Sequence, residues 1–342
     1  MTHTLLSSEA PLSEAYDVGL MDLDGVMYEG QRPIEYAAEG AARARELGMR
    51  LTFVTNNASR SPQTVADQLV SLDISATADE IYSSAMAAVE LAIQRHGPGA
   101  RVLAIGGEGL IEAIASSDLV AVDSADDDPE AVIQGFRPTI CWSDLSEAAY
   151  AIGRGADFIA TNLDSTLPQE RGLAVGNGSL VAAVANATGK TPVSAGKPEP
   201  EIFRLGSRRA DARRPLTVGD RLNTDIAGSN ASGIPSLHVV TGVSSARDVV
   251  KAIAIERPSY LGLDLRDLSR PHPPVNRDGD WFACRDARAS VSDGVPVLGR
   301  KGGEFRLTGP AVLAFDEYRA VAVAVWNTSD DVAVPEFTVV DQ

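Results

Sequence analysis

Apolar positions along this chain fall into short unbroken runs separated by amphipathic stretches, as when strands and helices take turns. Residues 18–21 form one such run and read as a buried parallel strand ending in Asp22, Leu23, Asp24 and Gly25. A helical pattern then extends from Arg32 to Gly48, and residues 49–55 give a second strand ending in Thr55. Ser61-Pro62 supplies an N-cap and a proline at the first helical position. Residues 79–95 carry a further helical pattern, broken by the glycines of 96–100. The first 16 residues are polar and are expected to fray or pack loosely.

Strand–helix alternation continues through the middle of the chain. Strands are expected at 101–107, 131–136 and 157–162, with helices at 108–117 and 143–156. Residues 196–210 read as loop and helix, 216–220 as a strand, 223–233 as a helix, and 236–240 and 260–263 as strands. Residues 271–276 are proline-rich and read as a linker. Beyond them lie alternating strand-like runs and one helical stretch, 311–328.

Length and charge narrow the functional classes. A chain of 342 residues suggests two domains with a sizeable core. A net charge of −17 argues against nucleic acid and against an anionic membrane surface, both of which call for a basic face. Two cysteines, Cys141 and Cys284, cannot build a disulfide framework or a zinc site, which suits a reducing cytosol. The N-terminus has no basic, apolar leader, and no apolar run reaches membrane length, so a cytoplasmic protein is expected.

The polar residues that end the strands carry the chemistry. Asp22 and Asp24 alternate onto one side at a carboxyl edge, where open α/β sheets bind ligands. A pair of aspartates after a strand is equally a plain turn. Yet Thr55 ends the second strand, Lys197 sits on a Gly-Lys-Pro turn, and Asp220 ends a third strand with Asp225 about one turn on. Asp-x-Asp-Gly, Thr, Lys and Gly-Asp-x4-Asp, in that order, resemble the four motifs of the haloacid-dehalogenase-type (HAD) phosphohydrolases. Only 33 positions separate Asp22 from Thr55, whereas 142 separate Thr55 from Lys197. An insertion at the later point is similar to the C2-type cap of the NagD-type, p-nitrophenylphosphatase-like branch.

That resemblance implies an α/β fold: a HAD-like Rossmannoid parallel-sheet core (15–97 and 192–268), an inserted α/β C2-type cap (98–191) and a small C-terminal extension (277–342). It implies Asp22 as nucleophile, Asp24 as acid and then base, and Lys197 and Thr55 on the phosphoryl group, with Asn56 and Asn57 as further donors. Four aspartates crowded into one pocket repel one another, and a dianionic ester worsens this. At ~4 Å a like-charged pair costs ~4 kcal/mol at an effective dielectric of ~20. A hard cation bound by oxygens alone relieves it, which points to Mg2+. The family assigns that ion to the Asp22 carboxylate, the Asp24 carbonyl and Asp220, with Asp225 close by as a ligand or just behind one.

Other signals are weaker. Residues 187–191 end like a P-loop but lack its first glycine, since Val184 occupies that position. Residues 104–110 have the wrong glycine spacing for a dinucleotide fingerprint and read as a tight turn. Gly176-Asn-Gly-Ser could bind an anion at a helix N-terminus or be a simple helix entry. The loop 161–181 is similar to that of phosphoglycolate and glycerol-phosphate phosphatases, lacking the histidine and bulky aromatic of the pyridoxal-phosphate branch. Asp164 and Arg171 are its candidate substrate contacts, or simply solvated charges. With its tail, the chain is similar to bacterial glycerol-3-phosphate phosphatases bearing a C-terminal extension. The expected partner is therefore a small phosphorylated metabolite, glycerol 3-phosphate first and other small phosphate esters second. A homo-oligomer through the cap or the extension stays open, as does a non-catalytic protein on the same scaffold.

Overall fold

In the computed structural model, which describes residues 4–169, 171–328 and 331–341, the chain divides into two units: 1–51 with 211–342, and 52–210. In the first unit, the strand Val18–Met21 pairs in parallel with Pro215–Gly219. The sheet continues through Ser236–Val239 to Tyr260–Gly262. All four residues of Val18–Met21 are buried, as their unbroken apolar character requires in a sheet covered on both faces. Met21 lies opposite Val218, so Asp22 and Asp220 leave the carboxyl ends of neighbouring strands. The Asp22 amide extends the ladder by one bond, donating to the Val218 carbonyl at 2.8 Å.

Several elements of this unit depart from expectation. The first 16 residues do not fray where described: Leu5 and Leu12 are buried, and the Leu6 amide donates to the Ser259 carbonyl. Residues 1–3 lie outside the described residues. The helix expected from Arg32 starts at Ala37, after the paired segments Tyr28–Glu29 and Arg32–Pro33. Pro33 disfavours helical geometry at Arg32, and Tyr36 takes φ +64° just before the first turn. Residues 271–276 are no free linker, because His272 and Val275 are buried and His272 bridges to Ser8.

The extension is a five-stranded antiparallel meander from Asn276 to Arg306. The helix Phe315–Trp326 packs over it. Residues 311–314, expected as helix, form a strand beside Phe337–Val340. The apolar core of the extension is continuous with that of the sheet: Tyr318, Val321 and Trp326 share a cluster with Leu222, Ile226 and Val249.

In the second unit, Phe53, Val54 and Thr55 pair in parallel with Ile81, Tyr82 and Ser83. Helix was expected over 81–83, but these residues are fully buried, and helix begins only at Ser84, with the Ser83 hydroxyl as cap. The helix Pro62–Ser71 opens as expected, the Ser61 hydroxyl accepting the Thr64 amide at 3.2 Å. A parallel five-stranded sheet runs in the order 193–194, 157–160, 131–134, 101–105, 120–122. Helices Trp142–Gly153 and Asn177–Thr188 cover it through Ala148, Ile152 and Val184. The strands 120–122 and 193–194 and the hairpin Thr166–Gln169/Gly172–Val175 were not foreseen.

Candidate active site

Asp22, Asp220 and Asp225 form one buried cluster in the first unit, each offering a carboxylate oxygen within 4.8 Å of the others. Asp220 follows Gly219 directly, and Asp225 sits on a single π-type turn, Leu222–Ile226, which aims its carboxylate back at the Arg221 amide at 3.1 Å. Asp220 is fully buried. Its Oδ2 accepts the Val243 amide at 2.6 Å, and its carbonyl accepts the Ser244 amide at 3.2 Å. His238 Nε2 lies 3.0 Å from the same carbonyl. Burial pushes the His238 imidazole down to about 4, so the neutral ring donates its Nε2–H and fixes the Asp220 backbone.

Glycines make the crowding possible. A Cβ on Gly25, whose φ is +89°, would stand 2.5 Å from Asp220 Oδ2. One on Gly242 would collide with the same carboxylate, and one on Gly219 with the Asp225 side chain. The Asp22–Gly25 turn is tied to the loop after Val239 by Thr241, whose hydroxyl donates to the Gly25 carbonyl at 2.7 Å. Asp24 has an exposed side chain, and its backbone bridges to Tyr28.

This pocket fits a hard divalent cation. Three converging buried carboxylates with no histidine or cysteine among them are the oxygen donor set such an ion prefers. Among the described residues it is the one group of three or more such side chains close enough to hold a metal.

The second unit carries the cationic and hydroxyl groups. Thr55 and Lys197 are both buried, and Lys197 Nζ donates to the Val54 carbonyl at 3.2 Å. Asn56 grips the Lys197 peptide on both sides: its Oδ1 accepts the Lys197 amide at 2.7 Å and its Nδ2 donates to the Lys197 carbonyl at 3.1 Å. The same Nδ2 lies 3.2 Å from Asp164 Oδ2. The Asn56 carbonyl in turn accepts from Ser84 Oγ and Asn162 Nδ2. Thr55 Oγ1 accepts the Asn57 amide at 3.0 Å, and the Asn57 side chain accepts from Ser59.

Asp164 thus joins Asn56 and Lys197, whereas Arg171 is exposed in the turn of the 166–175 hairpin. The Gly-Asn-Gly stretch is a tightly packed helix entry. Gly176 and Gly178 press against the backbone of 163–166, and Asn177 Nδ2 donates to the Asn162 carbonyl at 2.8 Å. Gly107 and Gly109, in the expected tight turn, likewise admit the backbone of Ser59 and Arg60. Asn162, Asn177, Ser84 and the loop 241–244 were missed from sequence. Their partners lie 15 to 216 positions away, and no local pattern marks them.

Comparison with known proteins agrees with this geometry. Residues 19–120 match the family described as haloacid dehalogenase-like hydrolase, and residues 194–268 match its HAD-hydrolase-like companion. The chain belongs to the haloacid dehalogenase-like hydrolases. It is 48% identical over 322 residues to the D-glycerol 3-phosphate phosphatase of Mycobacterium tuberculosis, covering 92% of this chain and 87% of that one. An acid sugar phosphatase of Staphylococcus saprophyticus is 36% identical over 255 residues, 74% of this chain and 96% of its own. The crystal structure of a glycerol phosphate phosphatase from Mycobacterium tuberculosis in complex with magnesium superposes with a TM-score of 0.84 at 40% identity, covering 97% of this chain and 95% of that one.

Proposed function

We propose that this chain is a magnesium-dependent phosphatase of small phosphate monoesters, with glycerol 3-phosphate as its principal substrate. The observation that carries the reading is the buried Asp22–Asp220–Asp225 cluster, whose mutual repulsion a divalent cation relieves. Asp22, Asp220 and the Asp24 carbonyl would hold the ion, with Asp225 as a further ligand or just behind one, and the ion would supply positive charge to offset that of the phosphoryl group.

The residues divide the reaction into two displacements. Asp22 Oδ attacks phosphorus, and Asp24 delivers a proton to the departing alkoxide. The resulting aspartyl phosphate is hydrolysed by a water that Asp24, now a carboxylate, deprotonates. Asp24 suits an exchange of protons with water because its side chain is exposed. Lys197 and Thr55 stabilise the phosphoryl oxygens, supported by Asn56, whose carboxamide holds the Lys197 backbone, and by Asn57, whose amide donates to Thr55 Oγ1. Asp164 and Arg171 are assigned to the glycerol moiety.

Residues 98–191 act as the specificity cap between core segments 15–97 and 192–268, with 277–342 as an extension. The named activity of the 48%-identical relative supports glycerol 3-phosphate. Sugar phosphates, matching the second relative, form the next substrate class. No helix among the described residues is long and apolar enough to cross a membrane, and a cytoplasmic location completes the proposal. Ranking glycerol 3-phosphate, phosphoglycolate, sugar phosphates, nucleoside monophosphates and pyridoxal phosphate by kcat/KM tests it. Glycerol 3-phosphate should lead, and a preference for any other ester overturns the substrate assignment.

A further inference from the structure

We infer that the C-terminal extension is a working part of the metal pocket: through Trp326 it fixes the loop that holds Asp220. This rests on the reading of Asp220 as a cation ligand. The loop in question is 241–245. Its Thr241 hydroxyl is bonded to the Gly25 carbonyl, and its Gly242 lies against the Asp220 carboxylate. Its Val243 and Ser244 amides donate to Asp220 side chain and backbone. Ser244 Oγ also accepts the Leu222 amide at 3.1 Å, at the start of the π-type turn that carries Asp225. One short loop therefore touches the groups that orient both carboxylates.

The loop runs straight into the helix Ala246–Val250, which is too short to be stable without tertiary packing. Among the described residues, the elements that pack most on this helix both belong to the extension: the helix Phe315–Trp326 and the strand Phe337–Val340. Two polar bonds make the attachment specific. The buried Trp326 Nε1–H donates to the Val249 carbonyl at 3.0 Å, and Arg247 Nε donates to the Val334 carbonyl at 2.8 Å. Ala246, Val249 and Val250 are buried in the cluster that contains Trp326. Trp326 and Arg247 are thus positioning residues for Asp220, acting through the loop rather than on the ion. A shift of the helix by a fraction of an ångström would be passed to the Val243 amide, because Gly242 is wedged against Asp220 with no slack.

The test is Mn2+ binding to the metal-stripped full chain, followed by electron paramagnetic resonance, together with amide hydrogen exchange at Val243 and Ser244. Trp326→Phe removes the indole donor while keeping an aromatic ring, and Arg247→Leu breaks the second bond independently. Both should weaken Mn2+ binding by roughly two- to fivefold, the scale of one hydrogen bond, and speed exchange at the two amides. Ile152→Val, in the separate apolar cluster of the second unit, should lower Tm without changing either readout. Folded Trp326→Phe and Arg247→Leu proteins with wild-type Mn2+ affinity would overturn the inference. A wild-type chain whose Mn2+ binding is untouched by Asp220→Asn would instead remove the cation site itself.

Discussion

The carboxamide of Asn56 closes a two-bond ring with the peptide of Lys197, accepting its amide at 2.7 Å and donating to its carbonyl at 3.1 Å. The side chain at the end of one strand thus imitates a neighbouring strand for the turn that carries the lysine. Lys197 is only 5% exposed, so its position is set by such bonds and not by solvent. Asn56→Ala should lower stability by about 1–3 kcal/mol and kcat by at least about tenfold, because two buried backbone groups lose partners and Nζ loses its bearing. Asn56→Asp should be worse, since it cannot donate to the Lys197 carbonyl and places a second negative charge beside Asp164. Steady-state kinetics with Tm measured in parallel decide this; a wild-type kcat in folded Asn56→Ala would count against the clamp.

Lys197→Arg is expected to behave as a loss of function rather than a conservative change. The ammonium sits buried on the Val54 carbonyl, a spot sized for a compact donor, whereas a guanidinium is broad and planar. Both Lys197→Arg and Lys197→Met should reduce kcat/KM by about a hundredfold or more. An arginine variant within tenfold of wild type would show that charge alone suffices.

Gly242→Ala and Gly219→Ala should each weaken Mg2+ binding strongly in a protein that still folds. The added methyl group would meet the Asp220 carboxylate in one case and the Asp225 side chain in the other. Overpacking of this kind costs about 1–3 kcal/mol, so calorimetric Mg2+ affinity should fall by about tenfold or more. Unchanged affinity in both variants would mean that these carboxylates move freely.

These glycines mark where the sequence stops being readable. Asp22, Asp24, Thr55 and Asp220 stand out in the sequence as candidates because each ends a strand-like run and carries its motif with it. Lys197 stands out by its Gly-Lys-Pro turn and by its order among those motifs. The cation followed from charge repulsion among aspartates separated by almost 200 positions. What Gly242 does depends on a carboxylate 22 positions earlier, and Asn56 on a peptide 141 positions later. No local pattern encodes such pairings. Residues 4–16 misled for a related reason: two leucines, Leu5 and Leu12, anchor a segment whose average is polar. The extension has no motif at all, and its role emerges only when Trp326 is found on the Val249 carbonyl.

Acid should destabilise the fold through two histidines as well as through carboxylates. Burial lowers both His238 and His272 from an ordinary 6.5 to about 4. The folded chain keeps them neutral where the unfolded chain binds protons, so their contribution is complete above about pH 6.5 and is lost as pH falls towards 4. A shift of this size corresponds to on the order of 3 kcal/mol per histidine. Urea unfolding at pH 7, 5.5 and 4.5 should show stability falling across this window. The slope should shrink in His272→Gln, and an unchanged slope would mean that His272 already titrates normally in the folded protein.

The nucleophile is tested most directly by phosphate release from glycerol 3-phosphate at saturating Mg2+, comparing wild type with Asp22→Asn. An amide cannot form the acyl phosphate, so the rate should fall by at least about 10⁴-fold while far-ultraviolet circular dichroism stays unchanged. An Asp22→Asn protein releasing phosphate within tenfold of wild type would contradict the account.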